Sequence, residues 1–262
     1  MISYVIYFLI AIAATTIGAM TGMGGGVMIK PVLDMISGFD VATIGALSSI
    51  TVFAMAIVSV WKQLYQKADI NFTIAIPLAF GSVAGGSIGQ FMLEGIINVF
   101  NSNRLVLVVQ NIALGILIIS VFLYMLNKSK IGTLGIKNII LVALAGAFLG
   151  IVSAFLGIGG GPINVALLIY LFSLDFKMAT LCSITIILFA QTSNLFQIAV
   201  NTGFAPFDLS MLSPMVMGAI LGGFIGSWFN KRLDDKKVEI CFNGVQILVF
   251  VLCIYNIVTN LV

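Results

Sequence analysis

The sequence predicts an all-α, polytopic membrane protein made of two related halves. Three observations predict it: charge is scarce, uncharged runs of membrane-spanning length recur, and a series of motifs occurs twice in the same order. Hydrophobic residues make up 61% of the 262 residues and charged residues 8%. A water-soluble domain carries about a quarter charged residues, so this chain lacks the polar surface to coat a globule. Runs such as Leu105–Leu126 and Ile139–Gly161 contain no charge. About 20 helical residues cross a hydrocarbon core of ~30 Å.

Sliding the chain over itself exposes the duplication. Gly22-Met-Gly-Gly-Gly26 matches Gly157-Ile-Gly-Gly-Gly161, and Ser49-Ile-Thr51 matches Ser183-Ile-Thr185. The pattern Pro77, Gly81, Gly85, Gly86, Ile88, Gly89 returns as Pro214, Gly218, Gly222, Gly223, Ile225, Gly226, and Asp40 corresponds to Asp175. Collinear matches at a nearly constant separation of half the chain indicate an internal repeat. Residues 1–126 form repeat 1, 127–136 a cytoplasmic linker, and 137–262 repeat 2. The expected segments are 3–22, 27–37, 42–61, 70–93 and 105–126, then 137–157, 162–174, 177–200, 209–230 and 237–261. The segments after the glycine breaks, 27–37 and 162–174, are about half a membrane long.

Charge placement chooses between two topologies. If each glycine run only kinks a span, there are eight spans and parallel halves, and the cations divide almost evenly between the two sides. If the chain turns back at each run, there are five elements per half and the halves are inverted. One side then carries Lys62, Lys67, Lys128, Lys130, Lys137, Lys177, Lys231, Arg232, Lys236 and Lys237, the other only Lys30 and Arg104. Cytoplasmic loops carry an excess of Lys and Arg, and opposite bias at equivalent loops marks inverted repeats. The inverted arrangement is preferred, with both termini outside and the protein in the cell membrane.

A helix broken at membrane depth strands backbone N–H and C=O groups at several kcal/mol each, so such a break lines a cavity or is buried in protein. Pro162 directly follows the second run, where its missing N–H is harmless in a first helical turn. A fresh helix N-terminus offers free N–H donors and a partial positive charge. The expected anion site therefore comprises Gly22, Gly24, Gly25, Gly26, Gly157, Gly159, Gly160, Gly161, Pro162 and Asn164. Close helix packing is the competing use of glycine, and it is the preferred reading of the four-spaced Gly81/Gly85/Gly89 and Gly218/Gly222/Gly226. Lys30 is a further candidate by its place in an apolar segment. Asp34 at i+4 can neutralise it, or it can extend to the membrane surface. Its counterpart is Val165. Ser49, Thr51, Ser183 and Thr185 recur near the starts of the helices after the breaks. Gln191, Asn194 and Gln197 form an amide stripe that faces water or bonds another helix, and Gln110, Asn111, Asn243 and Gln246 are weaker candidates of that kind. The nine carboxylates are expected near segment ends.

Other chemistries lack their residues. The chain contains no histidine to bind metal or shuttle protons. Cys182, Cys241 and Cys253 sit in apolar runs without metal or disulfide spacing. There is no Walker motif. No cofactor and no enzymatic role are expected. A passive anion channel is the alternative to a transporter.

At these residues the sequence resembles the sulfite exporter TauE/SafE family, also called the toluene sulfonate uptake permease family. The resemblance rests on Gly22–Gly26 with Pro31 following, on Gly157–Pro162, and on the repeated Pro–Gly pattern, and it covers nearly the whole chain. It implies secondary transport of sulfite, sulfonates, sulfoacetate or related anions. Pro31 stands five residues beyond its break whereas Pro162 is adjacent, so the two short helices need not be equivalent. The partners to expect are a small anionic substrate and the lipid bilayer. A proton or sodium ion is the candidate coupling ion, a second copy the candidate homodimer partner, and no nucleic acid is expected.

Overall fold

A computed structural model describes residues 2–68, 71–100 and 102–261. Asp69 and the expected segment start at 70 lie outside the described residues. The first half contains α1 (Ile2–Thr21), α2 (Gly26–Ile36), α3 (Val41–Tyr65), α4 (Phe72–Phe100) and α5 (Asn103–Asn127). The second contains α6 (Ile139–Leu156), α7 (Pro162–Phe172), α8 (Phe176–Gln197), α9 (Leu212–Arg232) and α10 (Asp235–Leu261), with a wider π turn, Ile198–Thr202, closing α8. Eight of these are long and apolar enough to cross a membrane. The other two, α2 and α7, have 11 residues each.

Local chemistry sets the boundaries. Asp40 and Asp175 cap α3 and α8 by accepting from the N–H of Thr43 and Met178, each at 2.8 Å. Such caps satisfy donors that a helix start leaves unpaired. Asn138 does the same for α6 through Ile140 N–H. Gly157, in the left-handed region at φ 63°, ends α6, with its N–H on Ala154 O and that of Ile158 on Ser153 O. This is the glycine-terminated C-cap in which a side chain would be strained. Pro162 then starts α7.

The four-spaced glycines do pack helices. Gly81, Gly85 and Gly89 on α4 face the carbonyls of Ala143, Ala147 and Ile151 on α6, while Gly146 and Gly150 face Leu78 and Ser82 in return. Gly218, Gly222 and Gly226 on α9 meet Phe8, Ile12 and Thr16 on α1 in the same way. A β-carbon at any of these positions would collide with backbone, and such overpacking costs about 1–3 kcal/mol or more. The partner of α4 is the first helix of the second half, and that of α9 the first helix of the first half.

Contacts also fix relative directions. Asn256 on α10 bonds Asn111 on α5, while Lys128 just beyond α5 pairs with Glu239 near the start of α10. So α5 and α10, matched by the duplication, run antiparallel. Asn194 near the end of α8 bonds Ser49 near the start of α3, and the end of α3 shares a cavity with the start of α8. These two matched helices are antiparallel as well. One end of the bundle gathers Lys62 on Phe224 O, Lys128 over Phe176, Lys177 on Leu233 O, and Arg232 stacked 4.1 Å from the Trp228 ring. Arg104 begins α5 and lies at the opposite end.

Candidate functional site

The two glycine runs meet inside the bundle. A β-carbon on Gly26 would strike the carbonyl of Ile158 and stand 3.1 Å from Ser48 Oγ. One on Gly24 would lie 3.9 Å from Gly159 O, and one on Gly157 would lie 3.5 Å from Lys30 Cε. Positive φ at Gly22, Gly24, Gly157, Gly159 and Gly160 explains why these turns hold glycine. The N–H groups of Gly25, Gly26 and Val27, and of Gly159, Gly160, Gly161 and Ile163, find no backbone acceptor among the described residues. Two sets of helix-start donors thus share one interior region.

A first cavity, of about 200 Å³, leads to this junction from the end opposite the cationic one. It is lined by Lys30, Gly45, Ser49, Glu94, Gln110, Gly157, Asn194 and Thr202, among others. Of the expected site residues it brings together Lys30, Ser49, Gly157 and Asn194. Gly159 and Gln191 border a narrow crevice that also touches Asn194. Gly160 and Asn164 are buried just behind it, with Asn164 Nδ2 3.3 Å from the β-position of Gly160. Gly161 and Pro162 form the start of α7. The Thr51 and Thr185 hydroxyls are spent on Leu47 O and Leu181 O one turn back, Ser183 bonds Gly22 O, and Gly25 packs on Thr15. None of these four lines the cavity. Gln197 bonds Ser193 in its own helix.

Lys30 is 2% exposed yet borders the cavity. Its Nζ lies 3.4 Å from Asp34 Oδ1, with side chains 3% and 1% exposed. Asp34 Oδ2 accepts from Asn111 Nδ2 at 3.2 Å, and Asn256 Nδ2 donates to Pro31 O and Asn111 Oδ1. Asp34 stands two residues before the end of α2, near a segment end as expected, yet its side chain is buried. α2 brings it inward, while α5 and α10 supply its amides. Ser48 and Asn256 are candidates that the sequence reading did not name, and Asn111 was a weaker one; Ser48 Oγ is buried and finds no partner among the described residues. The oxygens of Gln110, Asn164, Gln191 and Asn194 are buried without a donor as well. Asn164 and Gln191 can rotate by 180° to present N–H in place of oxygen, whereas Gln110 Nε2 is held on Phe155 O and Asn194 Nδ2 on Ser49 Oγ.

A second cavity, about 290 Å³, opens at the cationic end beside Gln63, Asp175, Lys177, Asn230 and Lys231. It stops short of the glycine junction. Thr180 packs its Cα 2.6 Å from the β-position of Gly22, Asn230 Nδ2 donates to Met20 O and Thr180 Oγ1, and Ser183 Oγ donates to Gly22 O. Counted from the N-cap aspartates, Thr180 corresponds to Gly45, which lines the first cavity with nothing within 4 Å of its β-position. The same count sets Ser183 opposite Ser48, one residue from the Ser49 that the motif match selects.

The sulfite exporter TauE/SafE family model matches residues 7–253. The chain belongs to this family. It is a multi-pass membrane transporter of the sulfite exporter TauE/SafE type. It is also similar to the probable membrane transporter protein YunE of Bacillus subtilis (strain 168), at 26% identity over 97% of this chain and 98% of that protein. No solved structure matches it significantly.

Proposed function

We propose that this TauE/SafE transporter carries small sulfur-containing or organic anions of the sulfite, sulfonate or sulfoacetate class by alternating access. The observation that carries the reading is the meeting of two glycine-broken helix starts, with unpaired N–H groups, beside a cavity-lining buried lysine. Fixed N–H dipoles and one cation bind an oxyanion without the desolvation cost of several charged side chains. The family's name supplies the sulfur chemistry. The binding set is Gly26, Gly159, Gly160, Gly161, Lys30, Ser48 and Ser49, with Gly24, Gly157, Asn164, Gln191 and Asn194 around it.

The domain plan behind this is two inverted repeats, 1–126 and 137–262, joined by a cytoplasmic linker, with both termini outside. What supports inversion is the antiparallel run of α3 against α8 and of α5 against α10, together with cations gathered at one end. In this orientation α2 and α7 are half-length elements that start at mid-depth. The first cavity is then the outer one, open to the site, and Thr180, Ser183 and Asn230 close the cytoplasmic side. Alternating access exchanges these two conditions between matched cavities. A tag in the 62–69 loop is expected to react from the cytoplasm and one in 201–208 from outside; labelling of both from one side would remove the inverted model.

The transport reading is tested with purified protein in liposomes. Uptake of sulfite or a small alkyl sulfonate is expected to saturate and to show counterflow. Unsaturable, fast conductance in planar bilayers would instead make the protein a passive channel.

A further inference from the structure

We propose that Asp34 carries a co-transported proton, one per anion, so that this protein is a proton–anion symporter. The proposal rests on the anion site described above and names its coupling group. It follows from charge balance in a closed space. Lys30 and Asp34 are 3% and 1% exposed in their side chains and only 3.4 Å apart, so the empty site holds net zero charge. An anion drawn to Lys30 in that state leaves a net negative charge buried beside a carboxylate, and uncompensated buried charge costs several kcal/mol. A proton on Asp34 removes the competing carboxylate. Lys30 then offers one net positive charge to one monoanion, and the loaded site is neutral again. Unloading the anion lets the ion pair reform and expels the proton to the same side.

The surroundings favour Asp34 as that group. Asn111 on α5 holds its Oδ2 with a neutral N–H, a bond that either protonation state accepts. The amide chain ends at Asn256, whose Nδ2 donates to Asn111 Oδ1 and Pro31 O, so no cation other than Lys30 lies against the Asp34 carboxylate among the described residues. The other titratable groups nearby are few. Cys253 on α10 is fully buried, and Glu94 on α4 lines the outer cavity. Asp40 is turned to its own N-cap, and Tyr7 on α1 packs on Phe39. In the second half, Val165 and Ile169 occupy the matching positions of α7, so the device exists once per chain.

The test uses methanesulfonate, a monoanion at every working pH, and thiosulfate, a dianion, with wild-type protein and Asp34→Asn in liposomes containing a pH-sensitive dye. In wild type, an inward proton gradient is expected to drive at least tenfold accumulation of methanesulfonate, with one proton entering per anion and no net current. Thiosulfate is expected to move with one proton and an inward negative current. Asp34→Asn leaves Lys30 without its buried partner, so its melting temperature is measured first; the folded variant is expected to lose both proton uptake and gradient-driven accumulation, with any remaining anion flux running only down its own gradient. Wild-type counterflow without proton movement, or with accumulation driven by sodium instead, overturns the coupling proposal while leaving the transport reading intact. Unchanged proton uptake in Asp34→Asn also overturns it. Absence of counterflow for both anions in wild type overturns the transport reading and this proposal with it.

Discussion

Neutralising Lys30 and Asp34 together, as Lys30→Gln with Asp34→Asn, is expected to leave a folded protein whose anion uptake falls about 10- to 100-fold. The estimate comes from the ~1.5–3 kcal/mol of a hydrogen bond to a charged group, at 1.4 kcal/mol per tenfold. The double change matters because the pair is buried and shares hydrogen bonds. Removing Lys30 alone strands a buried carboxylate, which costs about 3–5 kcal/mol, and lost uptake would then report on folding. Replacing both charges with amides of similar shape is often neutral for stability. Equal thermal stability with uptake close to wild type would show that Lys30 does not touch the anion.

The second large effect is expected at the glycine junction. Gly160→Leu is expected to abolish uptake while the protein still inserts in the membrane. Gly160 has φ 115°, and a β-carbon there would stand 2.8 Å from Ile187 Cδ1 and 3.3 Å from Asn164 Nδ2. A leucine therefore combines left-handed backbone strain of about 1–2 kcal/mol with overpacking of about 1–3 kcal/mol, both at the start of α7. Insertion depends on the long apolar helices, which the change does not touch. Gly244→Leu on the exposed face of α10, where nothing lies within 4 Å, is the control and is expected to transport normally. Wild-type uptake by Gly160→Leu would reduce the break to a packing feature.

Much of the fold was legible because its causes are local. Asp40 and Asp175 mark helix starts by capping chemistry, Pro162 marks another, and four-spaced glycines mark close crossings; the structure uses each in that way. Segment ends shifted by a few residues, most at α4, which runs to Phe100 rather than 93. The site was less legible because its partners are distant in sequence. Asp34 looked like a carboxylate near a segment end; only the packing of α5 and α10 against α2 buries it between Asn111 and Asn256. Thr51 and Thr185 match between the halves, yet their hydroxyls bond their own helices. Asn230 sits inside a glycine-rich helix with no periodic signal, and its role shows only in its bonds to Met20 and Thr180.

The meeting of the two glycine breaks beside Lys30 is expected to bind an oxyanion. Thermal unfolding of the detergent-solubilised protein with sulfite, thiosulfate, methanesulfonate and acetate tests it most directly. Ligand at 100 times its dissociation constant stabilises a folded state by about 2.7 kcal/mol. A rise in melting temperature is expected with at least one sulfur oxyanion, and its loss in the Lys30→Gln/Asp34→Asn protein. No rise with any of the anions, or an equal rise in that variant, would contradict it.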